Sequence, residues 1–178
     1  MKYKIIKKLF DPLTNKPCWN IHRGAWKSAI GFGFGKPSLK IHEIKKRVKG
    51  QKSVLTKRYV ILKEEWHIRF DQCSWRAYSM GEKIADNRSK EYPDKVARVF
   101  TGQTLKDVII KPENGESIFI FDLGGRFETH PYDNGEQWDF FTPSGKVLTY
   151  RADGKYAFEP GSKPGSKYKK EDWKKFTV

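Results

Sequence analysis

Cysteine is scarce in this sequence, and long hydrophobic runs do not occur. The 178 residues include only Cys18 and Cys73, with no CxxC pair and no Cys/His spacing typical of a zinc site. We therefore expect two reduced, partly buried thiols rather than a disulfide. No run of about 18 apolar residues predicts a transmembrane helix. The start, MKYKIIKKLFDP, has few and interrupted apolar residues and is not expected to be an export signal, so we predict a cytoplasmic protein.

Acidic residues are almost missing from the first third of the chain. Residues 1–63 contain 17 Lys and Arg but only Asp11 and Glu43, whereas residues 64–178 contain 19 basic and 19 acidic residues. The whole formal excess of +15 therefore lies in the first third. Such a field favours association with polyanions and supplies the sequence-independent part of nucleic-acid affinity.

The densest basic segment is IHEIKKRVKGQKSVLTKRYVILK, which we expect to form an exposed loop around Gly50 between two strands. Its basic side chains are the predicted anion-binding site: Lys45, Lys46, Arg47, Lys49, Lys52, Lys57 and Arg58. Two alternatives stay open. The loop is only solvated, or it contacts the acidic groups of residues 64–160.

Common catalytic signatures are absent as well. The chain has no GxSxG, Walker or HExxH motif. The stretch FDLGGRFETHPYDNGEQWD does bring Asp122, Glu128 and His130 close in sequence, an arrangement that faintly resembles the Asp…Glu-x-Lys pattern of metal-dependent nucleases. Polar residues alternating along a half-exposed strand explain the same pattern, and this interpretation is favoured. We therefore predict no catalytic residue, no metal ligand and no cofactor.

The secondary structure is predicted to be mostly β. Turn signals recur at Asn114-Gly115, Asn134-Gly135, Ser144-Gly145 and Asp153-Gly154, and they predict an antiparallel meander. Its predicted strands are residues 105–111, 117–122, 126–131, 137–142, 146–151 and 155–158. One short helix is predicted at residues 93–100, with Val96 and Phe100 on its buried stripe.

A change of buried face is expected in EWHIRFDQCSWRAYS. Trp66, Ile68 and Phe70 alternate on one face, but Cys73 and the apolar residues after it continue on the opposite parity. Since one extra residue reverses the alternation of a strand, we predict a β-bulge near Asp71-Gln72.

These elements predict an α+β fold that is mainly β: a highly twisted antiparallel meander sheet with one short helix, or alternatively an open barrel or roll. Residues 1–16 are expected to form a basic N-terminal arm or peripheral strand, and residues 17–160 a single globular domain. Residues 161–178 are expected to be a linker followed by a tail in which Trp173 and Phe176 dock on the sheet.

Three segments, EWHIRFDQCSW, FIFDLGGRFETHPYDNGEQWDFF and GKVLTYRADGKYAFEPG, resemble a family of small bacterial proteins of uncharacterised function. The resemblance covers most of residues 18–160. It implies one self-standing domain, and it carries no activity, ligand or catalytic residue.

The abundance of aromatic residues bears on function. With 6 Trp, 8 Tyr and 12 Phe, the aromatics exceed what a core is expected to hold, so some should line a groove beside the basic residues. Exposed aromatics among Lys and Arg are typical of single-stranded nucleic-acid binding. We therefore predict a non-enzymatic protein that binds nucleic acid or another polyanion. The alternatives are an immunity or inhibitor protein with an acidic protein partner and, less favoured, a metal-dependent phosphodiester hydrolase.

Overall fold

A computed structural model describes residues 4–24, 28–47, 54–133, 135–161 and 173–175. Its helices are α1 (Lys4–Phe10), a single 3-10 turn (Asp11–Leu13) and α2 (Tyr92–Phe100). Its strands are β1 (Cys18–Arg23), β2 (Ile30–Phe34), β3 (Ser38–Arg47), β4 (Val54–Lys63), β5 (Trp66–Phe70), β6 (Cys73–Ser79), β7 (Glu82–Asp86), β8 (Leu105–Lys111), β9 (Glu116–Phe121), β10 (Gly125–Pro131), β11 (Glu136–Phe141), β12 (Lys146–Arg151), β13 (Lys155–Pro160) and β14 (Lys174–Lys175).

The strands form three antiparallel sheets. The largest has seven strands in the order β1-β2-β5-β11-β12-β13-β14, and the second has five in the order β7-β6-β10-β9-β8. Strands β3 and β4 pair only with each other. The fold is therefore mainly β, as predicted, and its described strands close no barrel.

Aromatic side chains fill the space between the two larger sheets. Phe70 of β5 packs 4.9 Å from Phe119 of β9 and 4.4 Å from Phe127 of β10, measured between ring centroids. Phe32 of β2 and Trp138 of β11 extend this layer, and both are buried. The alternating burial along β9 and β10 shows that one face of each strand packs against the opposite sheet. These contacts make the two larger sheets a sandwich.

The predicted helix is confirmed. Pro93 occupies the first turn of α2, where its missing N–H costs no hydrogen bond, and Gly102 follows the helix with a φ of +90°. Tyr92, Val96 and Phe100 are buried on one stripe, and the helix contacts β1 and β7. At nine residues α2 is too short to be stable alone, so its stability depends on this stripe.

The predicted strands between residues 105 and 158 are present, but they do not form one meander. Strands β8, β9 and β10 lie in the five-stranded sheet, whereas β11, β12 and β13 lie in the seven-stranded sheet. The Asn114-Gly115, Ser144-Gly145 and Asp153-Gly154 turns each join paired strands. The prediction that Asn134-Gly135 does the same is wrong, because β10 and β11 belong to different sheets; Asn134 itself lies outside the described residues. A turn signal in the sequence predicts that the chain reverses direction. It does not predict that the strand after the turn pairs with the strand before it.

The predicted bulge at Asp71-Gln72 is also wrong. Strand β5 ends at Phe70 in the seven-stranded sheet, and β6 begins at Cys73 in the five-stranded sheet. Phe70 and Cys73 are both buried in the shared core. The change of parity arises because the chain crosses between layers, and each strand must turn its apolar side toward the same interior. Gln72, with a φ of +48°, lies in the connection.

The N-terminal segment differs from the predicted arm or strand. It forms α1 and the 3-10 turn, from which Phe10 and Leu13 enter the core. Phe10 stacks on Phe140 with 4.4 Å between ring centroids. These buried side chains pack the segment against the sandwich.

Beyond Gly161, the C-terminal segment is described only at residues 173–175. Trp173 lies under the guanidinium of Arg151, 4.8 Å from it, and β14 pairs with β13; Phe176 lies outside the described residues. Cys18 and Cys73 are free and buried, and burial raises the pKa of both thiols.

None of the described helices is both long and apolar enough to span a membrane.

We predict that Val96→Asp lowers the free energy of unfolding by about 3 kcal/mol, because an unpaired carboxylate would replace a fully buried side chain between α2 and the sheets. Lys95→Asp, on the exposed side of the same helix, is the matched control and should change stability far less. Urea unfolding at pH 7 measures both. Equal stability of the two variants would contradict the packing of α2.

Candidate functional site

Strands β3 and β4 form a long two-stranded ribbon that stands apart from the sandwich. They pair antiparallel through ten residue pairs, from Ser38 opposite Lys63 to Arg47 opposite Val54. At about 3.3 Å per residue, the paired strands extend roughly 30 Å. All ribbon residues whose burial is described, 38–45 and 56–63, are exposed. Within the described structure no third strand joins either edge, so both edges carry free backbone hydrogen-bonding groups.

The ribbon continues a hairpin of the seven-stranded sheet. Strands β2 and β5 pair with each other up to Phe34 opposite Trp66. The pairing resumes at Ser38 opposite Lys63, after a break at residues 35–37 on one side and 64–65 on the other. Because β2 and β5 pair directly, the residues that connect them in sequence cannot form further strands between them. These residues therefore extend away from the sheet as the ribbon.

One face of the ribbon is aliphatic near its base. Residues directly opposite in an antiparallel pair point to the same side, so the pairs Leu39/Leu62 and Ile41/Val60 share a face. These four side chains are 72, 50, 64 and 64% exposed, respectively. We call them the aliphatic face. Its exposure is unusual because adjacent large aliphatic side chains normally pack against a covering layer.

Toward the tip, the same side of the ribbon becomes charged. Arg58 Nε lies 2.5 Å from Glu43 Oε1 in the next pair along, and Lys45 follows opposite Thr56. The aliphatic face is therefore bordered by an ion pair and then by basic residues.

The opposite face mixes apolar and basic side chains. Ile61 lies opposite Lys40, Tyr59 opposite His42, and Ile44 opposite Lys57. Lys57 Nζ lies 5.1 Å from the centroid of the Tyr59 ring, a cation–π distance. Both faces of the ribbon thus present apolar surface beside positive charge.

The structure places the predicted anion-binding residues on strands instead of in a loop. Lys45, Lys46 and Arg47 belong to β3, and Lys57 and Arg58 to β4; Lys49 and Lys52 lie outside the described residues. The β-branched and aromatic residues among the lysines extend the pairing further than the charge pattern suggested. None of the described side chains of this set pairs with an acid of residues 64–160.

Two glutamates anchor the base of the ribbon. Glu64 Oε1 lies 2.6 Å from His67 Nδ1, and Glu64 Oε2 accepts a 3.0 Å hydrogen bond from Asn20 Nδ2. Burial tends to raise the pKa of Glu64, but the hydrogen bonds from His67 and Asn20 outweigh it and lower the pKa to about 2. Glu65 Oε2 accepts a 3.1 Å bond from the Lys36 backbone N–H across the break. The two strands are therefore fastened to β1 and to each other where they leave the sheet.

Gly35 permits the bend at which β3 departs. Its φ is +80°, in the left-handed region that glycine tolerates, and a Cβ there would collide with the Glu65 carboxylate. The indole N–H of Trp19 donates a 2.8 Å hydrogen bond to the Gly35 carbonyl. Local sequence therefore defines the point at which the ribbon leaves the body.

The three candidate hydrolytic residues do not form one group among the described residues. Asp122 lies in the β9–β10 turn, where it accepts hydrogen bonds of 2.8 Å from both the backbone N–H and the hydroxyl of Thr104. Glu128 and His130 share a face of β10, and Glu128 Oε2 lies 3.8 Å from His130 Nε2, but each has a closer partner: Arg126 at 3.2 Å from Glu128 and Glu116 at 3.0 Å from His130. In the part of the chain that the structure describes, no three His, Cys, Asp or Glu residues are grouped to hold a metal ion. These side chains stabilise a turn and an outer sheet face.

Few aromatic side chains are exposed. Only Tyr59 and Tyr132 are exposed among the aromatic side chains of the described residues, at 40 and 57%. The interior between the two sheets holds many of the other rings, and the expected groove of aromatics beside basic residues stays a prediction.

Comparison with known proteins gives no relative: no family model, no curated protein and no solved structure matches the chain. The resemblance to small bacterial proteins stays a prediction.

We predict that Glu64→Gln makes stability less sensitive to acid. The folded pKa of about 2 lies below the ordinary value, so ionised Glu64 stabilises the fold above about pH 4.3, and this contribution is lost as pH falls toward 2. Urea unfolding at pH 7, 4 and 3 should show a steeper loss in the wild type than in the variant. Glu82→Gln, at an exposed position, is the control and should follow the wild type. Parallel profiles for all three proteins would contradict the anchor.

Proposed function

We propose that this is a non-enzymatic binding protein of the inhibitor or immunity type, and that its ribbon docks on an acidic protein partner in the cytoplasm. The observation that carries the proposal is the exposed apolar surface of the ribbon. Eleven large hydrophobic residues are exposed among the described residues, and seven of them belong to the ribbon: Leu39, Ile41, Ile44, Tyr59, Val60, Ile61 and Leu62. Concentration of such residues on one element favours an interface over chance exposure.

Energetics support a partner for this element. An isolated two-stranded hairpin is marginally stable in water, and a ribbon with two free edges is prone to pair with other chains. Burying one aliphatic side chain contributes roughly 1.5–3 kcal/mol, of which association costs and side-chain ordering offset a part. The four residues of the aliphatic face are therefore sufficient for the apolar centre of a modest interface, with the surrounding polar residues as its rim.

Charge selects the kind of partner. The two strands carry seven basic residues, Lys40, Lys45, Lys46, Arg47, Lys57, Arg58 and Lys63, against the single acid Glu43. A second copy of the chain would bring like charges together if the ribbons met. An acidic surface would instead be attracted and would associate faster at low ionic strength. The proposal therefore commits to a different, acidic protein.

Nucleic acid is the second candidate, for a specific reason. Lys45 and Lys57 are exposed and have no carboxylate within 4.0 Å among the described residues, and Tyr59 lies beside Lys57 as a stacking surface. A two-stranded ribbon is also of a size that enters the major groove of DNA. This alternative explains the charge of the ribbon but leaves its aliphatic face uncovered, so the protein partner is preferred.

The protein-partner proposal is tested by replacing Ile41 and Val60, directly opposed on the aliphatic face, with serine. A photo-crosslinker at position 39 identifies the partner in nuclease-treated lysate, and the affinity for the purified partner is then measured by calorimetry. We expect an acidic protein whose Kd rises at least about tenfold for the double variant, equivalent to about 1.4 kcal/mol.

The matched control is Ile109→Ser with Leu123→Ser, which removes two exposed hydrophobic residues from outside the ribbon and should leave the Kd unchanged. A partner without net negative charge, or equal affinity of the two double variants, would contradict the proposal.

The nucleic-acid alternative predicts salt-dependent binding of single-stranded oligonucleotides. Each lost phosphate contact should reduce the log-log salt slope by about 0.7. Lys45→Glu, Lys46→Glu and Arg47→Glu together should abolish that binding, since they reverse charge on the ribbon, while thermal stability stays unchanged. A wild-type protein that does not shift an oligonucleotide at about 50 mM salt excludes this alternative.

A further inference from the structure

A polar cleft lies on the five-stranded sheet, where β6 pairs with β7. Its volume is about 330 Å³, and its polar lining includes Ser74, Arg76, Lys83, Asp86, Asn87 and Arg88. We call it the β6–β7 cleft. None of these residues belongs to the ribbon or to the Asp122, Glu128 and His130 set. The volume is at the lower end of the range, about 300–1,000 Å³, of pockets that bind small molecules.

Among the described residues that line the cleft, Asp86 is the one carboxylate, and the protein already engages it. Asp86 Oδ1 accepts hydrogen bonds of 3.0 Å from the Ser89 hydroxyl and from the Arg88 backbone N–H. Asp86 Oδ2 lies 3.2 Å from Lys83 Nζ. Burial tends to raise the pKa of Asp86, but these bonds together outweigh it and lower the pKa. They also shape the turn after β7 into a preformed wall.

The two guanidinium groups of the cleft are not engaged in this way. Arg76 lies in register between Asp86 of β7 and Glu128 of β10. Glu128 is held by Arg126, at 3.2 Å. Among the described residues, no carboxylate lies within 4.0 Å of the guanidinium of Arg76 or of Arg88. The guanidinium groups of Arg76 and Arg88 are therefore not paired with a carboxylate of the described residues, and they lie beside a turn in which Asp86 and Lys83 pair with each other.

Charge and donor types together indicate the ligand. Arg76, Lys83 and Arg88 against Asp86 leave the cleft with a formal charge of +2. Guanidinium groups bind phosphate oxygens in a bidentate manner. Ser74 and Asn87 complete the polar lining but are engaged within the protein: the Ser74 hydroxyl donates a 3.4 Å hydrogen bond to Asn87 Oδ1, and Asn87 Nδ2 donates one of 2.5 Å to the Tyr132 hydroxyl, so the two guanidinium groups are the main donors for a ligand. From this arrangement we infer that the β6–β7 cleft binds a phosphate monoester, which carries nearly two negative charges at pH 7.

The neighbouring Tyr78 helps define one side of the site. The Arg126 guanidinium stacks on its ring at 4.4 Å from the centroid, which leaves this ring face unavailable to a ligand. The phosphate group would therefore bind toward the turn, between Arg76 and Arg88, and the ester substituent would occupy the remaining volume. Binding here is independent of the ribbon, so its failure would not bear on the proposed docking.

The experiment titrates the protein with inorganic phosphate and with phenyl phosphate at pH 7.5 and constant ionic strength. Backbone amide NMR shifts locate the site, and calorimetry measures the affinity. We expect saturable shifts confined to residues 73–89, with phenyl phosphate binding more tightly than inorganic phosphate because it also fills the cleft. Shifts spread over the basic ribbon, or no saturation, would overturn the inference.

Arg76→Gln with Arg88→Gln should weaken binding of phenyl phosphate at least tenfold. Arg98→Gln with Lys106→Gln removes the same charge from exposed positions outside the cleft and should change the affinity less than twofold. Equal weakening by both pairs would show a general charge effect and refute a built site. A single-stranded oligonucleotide is the last arm, and its displacement of phenyl phosphate from residues 73–89 would assign the cleft to phosphodiesters instead.

Discussion

The architecture depends on the packing of aromatic rings between two antiparallel sheets. Phe70 contacts Phe119 and Phe127 from the opposite layer, and Phe10 closes the same interior by stacking on Phe140. Because this layer needs the inner face of nearly every strand, it sets the register of both sheets: a shift of one residue would turn the rings to solvent. The aromatic layer therefore fixes the strand pairing of the sandwich. Residues outside the sandwich are not held by this constraint.

The ribbon follows from that constraint. Strands β2 and β5 are adjacent in the seven-stranded sheet, where Phe32 lies opposite Ile68 and both face the interior. The residues that join them cannot pass through the core, so they extend outward as β3 and β4. In the sandwich, a strand with alternating aliphatic residues buries them against the opposite sheet. In the ribbon, Ile41 and Val60 alternate in the same way but are exposed to solvent. An apolar surface that the fold itself does not use is available to another molecule.

The sequence predicted local features well and layering poorly. The helix at 93–100, the Ser144-Gly145 turn and the strands between 105 and 158 follow from periodicity and turn chemistry, which act over a few residues. The assignment of strands to two sheets depends on contacts distant in sequence, such as Phe70 with Phe119, and no local pattern encodes them.

The candidate site shows the same division. Clustering of basic residues around Gly50 was evident from composition, but their place on strands was not. The aliphatic face was hidden because alternation of the type SLKIHEI and VLTKRYVILK is ordinarily a sign of burial. Whether Leu39 and Leu62 have a covering layer depends on the rest of the fold, and the described structure gives them none. Similarly, the acids near residue 130 are close in sequence, yet Asp122 lies in a turn and Glu128 on a strand face.

The anchor at the base links the ribbon to the body. Glu64 joins β4 to Asn20 of β1 and to His67 of β5, while Glu65 holds the start of β3 through the Lys36 backbone. A ribbon fixed at its root would lose less orientational freedom in the proposed docking than a flexible segment would, because its direction is set beforehand. Glu64 and Glu65 form these bonds at the base of the ribbon, so they do not pair with the basic residues nearer its tip. The net effect is an arm that two glutamates hold in place at its base and whose strands carry seven basic residues against one acid.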